Sequence, residues 1–476
     1  MGKHETDSVP WRALLVRTHA SALALVCLGI WLHAADELVI ATMMPAIVAD
    51  IGGAGLIAWT LAFYELGSII AGATAALLAL RFGLRMPMTV SALAFAVGCT
   101  LAALAPSMPV LLAGRLVQGL GSGGLVALAF VAVGLFFPLR LTARVMAAMS
   151  ALWGLSSFLG PLIGGLFVEY GSWRGGFWFF ALQAAGLALW IATRRDGGRP
   201  DEASLPAMGF PGLRLLALAA AVVLVALAGT DIDLLQVPLL VAAGLLCLAL
   251  FVWLDGRAGE DRLLPRAPAA VTRPTGAALV MVFCMSAATI PLAIYGPLLI
   301  TSLHGSSALT AGYIIACSSI GWTLVAVAAS GAAERHDPLL IVAGMGLTAA
   351  SVLGLLYAIP NGPLWLIALF AAIEGGGFGL AWTFILRRAR RLAAPGEIER
   401  VAGAIPTVQR IGYALGAALI GIVANAAGLA DGEGAAVTAG VSSAIFLACL
   451  PLAALGLLAA VRFAFIDAES PGARSS

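Results

Sequence analysis

Hydrophobic residues along this chain come in long blocks rather than in alternation. Apolar runs bounded by Arg, Pro and Gly fall at roughly 20–48, 56–79, 86–105, 109–137, 144–168 and 173–193, then at 212–229 and 234–254. A third group follows at roughly 274–302, 309–332, 338–359, 362–386, 400–427 and 436–463. A helix crosses the hydrocarbon core with about 20 apolar residues. The runs lack the period-two pattern of barrel strands, and a helix satisfies its own backbone groups in lipid. The pattern therefore predicts an all-α polytopic membrane protein with fourteen spans arranged six, two and six. The stretches 194–211 and 255–273 are rich in Pro, Gly and charge and bracket the middle pair. The expected organisation is an N-terminal segment 1–19, a six-helix bundle 20–193, a linker 194–273 carrying two additional spans, a second six-helix bundle 274–463 and a tail 464–476.

Composition agrees. The chain is 61% hydrophobic and 11% charged, whereas a soluble domain carries about 25% charged residues. Where the charges sit matters more than the net +2. One set of loops holds Arg12, Arg17, Arg81, Arg85, Arg140, Arg144, Arg194, Arg195, Arg199, Arg257, Arg262, Arg266, Arg335, Arg387, Arg388, Arg390, Arg391 and Arg462. The opposite loops hold Asp50, Glu169, Asp231, Asp233, Asp431 and Glu433, with Arg174 as their only base. By the positive-inside rule both termini are expected in the cytoplasm, with the protein in a bacterial inner membrane. These bases mark topology, and no nucleic-acid partner is expected. The first apolar run lacks a small-residue cleavage site and is too long for a signal-peptide core, so it is expected to stay as a span. The six cysteines all lie in apolar segments and form no CxxC pair, so neither a disulfide framework nor a metal site is expected.

Six charged residues fall well inside the predicted spans: Asp36, Glu37, Glu65, Arg115, Glu374 and Arg410. A charge at the bilayer centre costs about 2.5–3.5 kcal/mol on insertion scales and marks a functional site by default. With a rise of about 1.5 Å per residue, Asp36 lies roughly 15 Å before the outer end of the first span and Glu65 roughly 13 Å into the second. Glu374 lies roughly 18 Å from the outer start of its span and Arg410 roughly 15 Å from the inner start of its own. All approach the midplane, where transporters bind their cargo. Low dielectric disfavours a charged carboxylate, and a nearby cation favours it. One such site holds a proton or a cation, seldom both, which is the physics of exchange. Asp36 and Glu37 are adjacent and point about 100° apart on a helix, and His33 precedes them by three and four positions, within reach of either.

The fourth span reads Gln118-Gly-Leu-Gly-Ser-Gly-Gly124 and the corresponding span of the second bundle reads Glu374-Gly-Gly-Gly-Phe-Gly-Leu380. The match suggests internal duplication, as in many transporters. Gly119, Gly121 and Gly124 spell a dinucleotide-binding pattern, but that reading needs a preceding strand. Inside a membrane helix, small residues instead let backbones approach, so Gln118, Gly119 and Gly121 are expected to pack helices.

The stretch Ala35-Asp-Glu-Leu-Val-Ile-Ala-Thr-Met-Met-Pro-Ala-Ile-Val-Ala-Asp50 resembles the first-span signature of fourteen-spanner drug:proton antiporters of the major facilitator superfamily, the EmrB/QacA type. Gly114-Arg-Leu-Val-Gln-Gly-Leu-Gly-Ser-Gly123 is similar to the superfamily's RxxQGxG motif, and Gly154-Leu-Ser-Ser-Phe-Leu-Gly-Pro-Leu-Ile-Gly-Gly165 to the antiporter motif GxxxxxGPxxGG. Trp173-Arg174 and His304-Gly-Ser-Ser-Ala-Leu-Thr-Ala-Gly312 also follow family patterns. The resemblance implies the major facilitator fold, with Asp36 as proton and substrate carboxylate, Arg115 tuning it, and Gly154, Gly160, Pro161, Gly164 and Gly165 serving gating. It also implies gating by the loop Ala76-Leu-Leu-Ala-Leu-Arg-Phe-Gly-Leu-Arg85, through Arg81, Gly83 and Arg85. That loop departs from the family: Leu80 stands where an aspartate belongs and Leu84 where an arginine does. Glu334-Arg335, in the matching loop of the second half, is the candidate substitute.

The expected function is a proton-coupled exporter of amphipathic, hydrophobic or cationic compounds, driven by the proton gradient without a cofactor and working as a monomer in the lipid bilayer. Glu37 and Glu65 are its accessory acids, and Trp31, Phe63, Tyr64, Trp153, Tyr295, Trp322 and Trp382 are candidate aromatic faces for substrate. Export of lipid or a lipid conjugate, uptake or facilitated diffusion of a polar metabolite, and a non-transporting sensor are the alternatives. No catalytic constellation, P-loop or metal cluster is visible in the sequence, so an enzyme or an ATP-driven pump is not expected.

Overall fold

The computed structural model describes residues 17–194, 209–394, 396–430 and 434–466. The segment before Arg17, Arg195, Arg199, Asp431, Glu433 and the tail from residue 467 lie outside the described residues. Fifteen α-helices follow one another among the described residues. The first six are α1 (Arg17–Ile51), α2 (Ile57–Phe82), α3 (Arg85–Ala103), α4 (Met108–Phe136), α5 (Leu139–Tyr170) and α6 (Trp173–Thr193). A pair follows, α7 (Gly212–Leu227) and α8 (Gln236–Gly256). The rest are α9 (Pro274–Ala288), α10 (Ile290–His304), α11 (Ala308–Ala329), α12 (Asp337–Asn361), α13 (Leu364–Leu392), α14 (Ile398–Ala426) and α15 (Ala435–Phe465).

Among the described residues, thirteen segments are long and apolar enough to cross a membrane, with α9 and α10 counted as one, and α7 is a shorter apolar helix. At 16 residues, α7 reaches about 24 Å, just under the hydrocarbon thickness. Sequence pattern reads 274–302 as one continuous helix, whereas the structure interrupts it at Thr289. Pro291 is the cause: proline has no N–H for the carbonyl four residues earlier and clashes with it. Thr289 adds to the bend by turning its hydroxyl back to the carbonyls of Met285 and Ser286, a geometry that competes with the helix ladder.

Helices α1–α6 pack on one another, with α4 against α1, α2 and α3. Helices α9–α15 form a second bundle in which α13 packs on α11 and α12, and α15 on α9 and α12. Glycine sets the spacing. A Cβ on Gly119 would come within 2.1 Å of the Tyr64 carbonyl oxygen, and one on Gly121 within 2.3 Å of the Phe95 nitrogen. The pattern that mimics a nucleotide site is thus a pair of backbone contacts to α2 and α3. In the second bundle Gly375 plays the same part, its Cβ position lying 1.7 Å from the Ser318 oxygen on α11.

The two bundles meet through α2 with α14 and α5 with α11. We call the face holding Arg17 and Phe465 the near face. At the far face Asn425 of α14 donates to the Gly55 carbonyl at 2.8 Å and to the Gly229 carbonyl, after α7, at 2.6 Å. The helix pair therefore sits beside the seam, with α7 against α14 and α2. At the near face the linker after α8 is fastened to α14, because Glu397 accepts from Arg262 at 3.0 Å and Arg400 at 2.8 Å.

Candidate functional site

Asp36 is 1% exposed, and both its oxygens are engaged. Oδ2 accepts from Arg115 Nη1 at 2.6 Å and Oδ1 from Gln118 Nε2 at 2.7 Å. Arg115 also donates to Gln118 Oε1 at 2.8 Å and to the Thr60 carbonyl at 3.4 Å. Its guanidinium lies 4.2 Å from the centroid of the Tyr64 ring. Gln118 Nε2 reaches Cys99 Sγ at 3.0 Å. The network draws on α1, α2, α3 and α4 and closes upon itself inside the first bundle. Sequence reasoning makes Asp36 the proton and substrate carboxylate. In this conformation its oxygens bond Arg115 and Gln118.

The interface between bundles carries a second network. Arg410 of α14 donates from Nη1 to Glu65 Oε2 at 3.1 Å and to Ser68 Oγ at 2.7 Å. Its Nη2 lies 3.2 Å from His33 Nε2. With the guanidinium donating to Nε2, the imidazole proton sits on Nδ1, which faces Tyr64 Oη at 2.8 Å and Ser122 Oγ at 3.2 Å. His33 therefore bonds neither Asp36 nor Glu37, the two acids its spacing allows. It stacks on Tyr64, with ring centroids 5.8 Å apart. Tyr64 has Arg115 on its ring and His33 at its hydroxyl, so it joins the two networks. The Arg410 side chain is 22% exposed and that of Glu65 only 2%, so the cation screens the acid from the interface. Glu37 is half-buried, makes no hydrogen bond among the described residues, and lies within electrostatic reach of Glu65 and Arg410.

Glu374 lies elsewhere, within the second bundle. It is 4% exposed, and its Oε2 is fully buried without a hydrogen-bond partner. Of the six intramembrane charges, the structure joins Asp36 with Arg115 and Glu65 with Arg410, places Glu37 beside the second pair, and leaves Glu374 apart.

The gating residues divide as well. A Cβ on Gly160 would meet Leu38, and one on Gly164 the Val39 carbonyl, both on α1. Gly165 faces Leu309, and Pro161 faces Gly312, both across the seam on α11. Gly154 has open space, Thr323 being nearest at 3.9 Å. Helix α5 runs unbroken through Pro161. In the loop after α2, Gly83 adopts φ 73, which only glycine takes readily. Arg85 donates to the Ala192 carbonyl on α6, and Arg81 lies over the Phe82 ring.

Sequence reasoning missed several residues. In the second half Asp337, the first residue of α12, is fully buried and bonded to Arg387, while Glu334 is exposed and meets Arg391 at 3.2 Å. An Asp-Pro pair opening a helix was the available signal. Arg388, counted only as a topology marker, is buried and donates to the carbonyls of Phe463 and Ala464 at the end of α15. Asn425 and Ser68 gave no sign, because a lone amide or hydroxyl in a span is unremarkable. Of the candidate aromatic faces, Tyr64 and Tyr295 are fully buried in this conformation. Trp153, by contrast, is 40% exposed and stands edge-on to His33 at 5.4 Å.

A family-wide sequence profile described as Major Facilitator Superfamily matches residues 26–417. A probable multidrug-efflux transporter of Mycobacterium tuberculosis is 32% identical over 481 residues, covering 99% of this chain and 100% of the relative. The multidrug efflux pump SdrM of Staphylococcus aureus is 28% identical over 176 residues, 36% of this chain and 38% of that one. Among solved structures, a POT family peptide transporter matches with a TM-score of 0.66 at 16% identity, covering 93% of this chain and 96% of its own. A D-xylose–proton symporter matches with 0.62 at 15% identity, over 91% and 97%.

Proposed function

Because the chain belongs to the Major Facilitator Superfamily and is an integral membrane protein, we propose that it exports small amphipathic, hydrophobic or cationic compounds in exchange for protons. The near face, which carries the arginine-rich loops, is cytoplasmic in this reading. The full-length likeness to a probable multidrug-efflux transporter supports the direction of transport. The observation that carries it is the hold of Arg410, from the second bundle, on Glu65 of the first.

Arg410 acts there as an internal cation on an acid that a proton or a substrate cation can also claim. When a proton neutralises Glu65, or a cation takes its place beside Glu65 and Glu37, the guanidinium loses its partner and the α2–α14 seam loosens. The ring of Tyr64 and the imidazole of His33 carry that change to the Asp36–Arg115 pair. Proton uptake at one pair thus alters the field at the other, and the two bundles rock about the midplane. The far face is held by Asn425 on Gly55 and by the α5–α11 contacts at Gly165, so the bundles are joined on that side in this conformation. The proton gradient supplies the energy without a cofactor, and one chain carries a complete site.

The test is purified protein in liposomes with an imposed pH gradient and ethidium as the probe. Gradient-dependent ethidium movement, lost in Asp36→Asn, supports the reading. Wild-type protein that moves no ethidium under any gradient overturns export of cations.

A further inference from the structure

The second bundle holds a buried acid that the exchange network does not reach. Glu374 projects from α13 with its Oε2 unpartnered, and among the described residues it forms no ion pair. It lies within electrostatic reach of Cys449 of α15. Cys449 Sγ in turn lies 4.0 Å from the Ala287 carbonyl on α9. That carbonyl is the one Pro291 releases from the helix ladder, four residues before the proline. Ser286 beside it and Ser442, two turns before Cys449 on α15, also have buried hydroxyls without partners. A buried polar group without a partner calls for water or a proton. A helix broken at mid-depth is where membrane carriers place ion sites.

We propose that Glu374 is a second proton-binding site, housed in the second bundle and separate from the Asp36–Arg115 and Glu65–Arg410 pairs. The chemistry favours a proton over a larger ligand. One oxygen is sealed inside the bundle without a hydrogen-bond partner, and among the described residues no cluster of acids, thiols or imidazoles stands there to cage a cation. The unpartnered oxygen accepts the proton, and the neutral carboxyl removes the cost of a lone buried charge. Among the described side chains, charges on the helices packed against α13 are engaged elsewhere: Arg410 of α14 with Glu65, Arg400 of α14 with Glu397, and Asp337 of α12 with Arg387. As part of the exporter reading, on which its role in transport rests, this site adds one proton to each cycle.

Two measurements test it. Dicyclohexylcarbodiimide, an apolar reagent for protonated carboxyls, is expected to label Glu374 in the purified full-length protein. Labelling should survive Asp36→Asn, vanish in Glu374→Gln, and fall about tenfold per pH unit once the group ionises. Absence of a Glu374 adduct at every pH overturns the proposal, whatever the protein transports. In liposomes, the ratio of protons to ethidium is expected to fall by one in Glu374→Gln and to be restored in Glu374→Asp. An unchanged ratio in Glu374→Gln overturns it too. A wild type that labels at Glu374 but moves no ethidium defeats the exporter reading and leaves the proton site standing.

Discussion

Asp36 and Glu374 are both carboxyls buried inside a six- or seven-helix bundle, in matching halves of one chain, and their surroundings are opposite. Asp36 is held by Arg115 and Gln118, while Glu374 has an oxygen with no partner. The duplicated motif sharpens the contrast, since Glu374 stands where the first half has Gln118. One repeat uses an amide there to complete an ion pair made by its neighbours. The other places the acid itself at that position, and among the described residues no base pairs with it. The same backbone geometry, enforced by the glycines that follow, serves a locked charge in one half and a lone acid in the other. A second asymmetry runs the other way. The second half has the pair Asp337–Arg387 at the start of α12, while the first half carries Leu80 and Leu84 in the matching stretch.

The largest effect is expected at Asp36. Asp36→Asn strands the Arg115 guanidinium in the bundle, and breaking a buried pair costs about 3–5 kcal/mol. Gradient-driven export should be lost and the thermal midpoint in detergent should drop. Asp36→Asn with Arg115→Gln removes both charges, so stability should recover while transport does not. If the single variant melts like the wild type, Asp36 is not locked and the contrast with Glu374 collapses.

Next come the glycines that the halves share. Gly119→Ala and Gly375→Ala each drive a methyl into backbone, and overpacking costs about 1–3 kcal/mol or more. Equal losses in thermal unfolding would confine the asymmetry to the acids. A tolerated Gly375→Ala would mean that the second bundle is packed more loosely as well. At the seam, Glu65→Gln and Arg410→Gln should be non-additive by about 0.5–3 kcal/mol in a double-mutant cycle. Either one combined with Glu374→Gln should add simply. Measured coupling to Glu374 would join what the structure keeps apart.

The smallest effect is expected for Glu374→Leu. Replacing an unpartnered polar group by an apolar one of similar shape is nearly neutral or stabilising, so its unfolding should stay within about 1 kcal/mol of wild type. Asp36→Leu should be severely destabilised. Similar losses at both positions would show that Glu374 has a partner the contrast denies it.

Much of the architecture was legible in the sequence because lipid imposes it. Apolar runs must be helices, so the spans and the linker segments between them could be read from composition along the chain. Pairing could not. Arg115 and Asp36 are separated by 79 positions and Arg410 and Glu65 by 345, and nothing in local spacing says which acid each arginine meets. Helical geometry did say that Asp36 and Glu37 face different ways, but not which of them faces the seam. The matching loops drew attention to Glu334-Arg335, while the buried acid beside them is Asp337.

By itself the sequence determined that this chain lives in a membrane, that its helices form two related groups around an extra pair, and that six charges sit where charge is costly. It also set the helix spacing, because a glycine either admits a neighbouring backbone or does not, whatever the neighbour. Only the tertiary structure decided which charges compensate one another. A carboxylate in a low-dielectric interior is defined by the groups within a few ångströms of it. Those groups come from helices far apart in the chain, so Asp36 became a locked pair, Glu65 a hold on the opposite bundle, and Glu374 an acid left without a base.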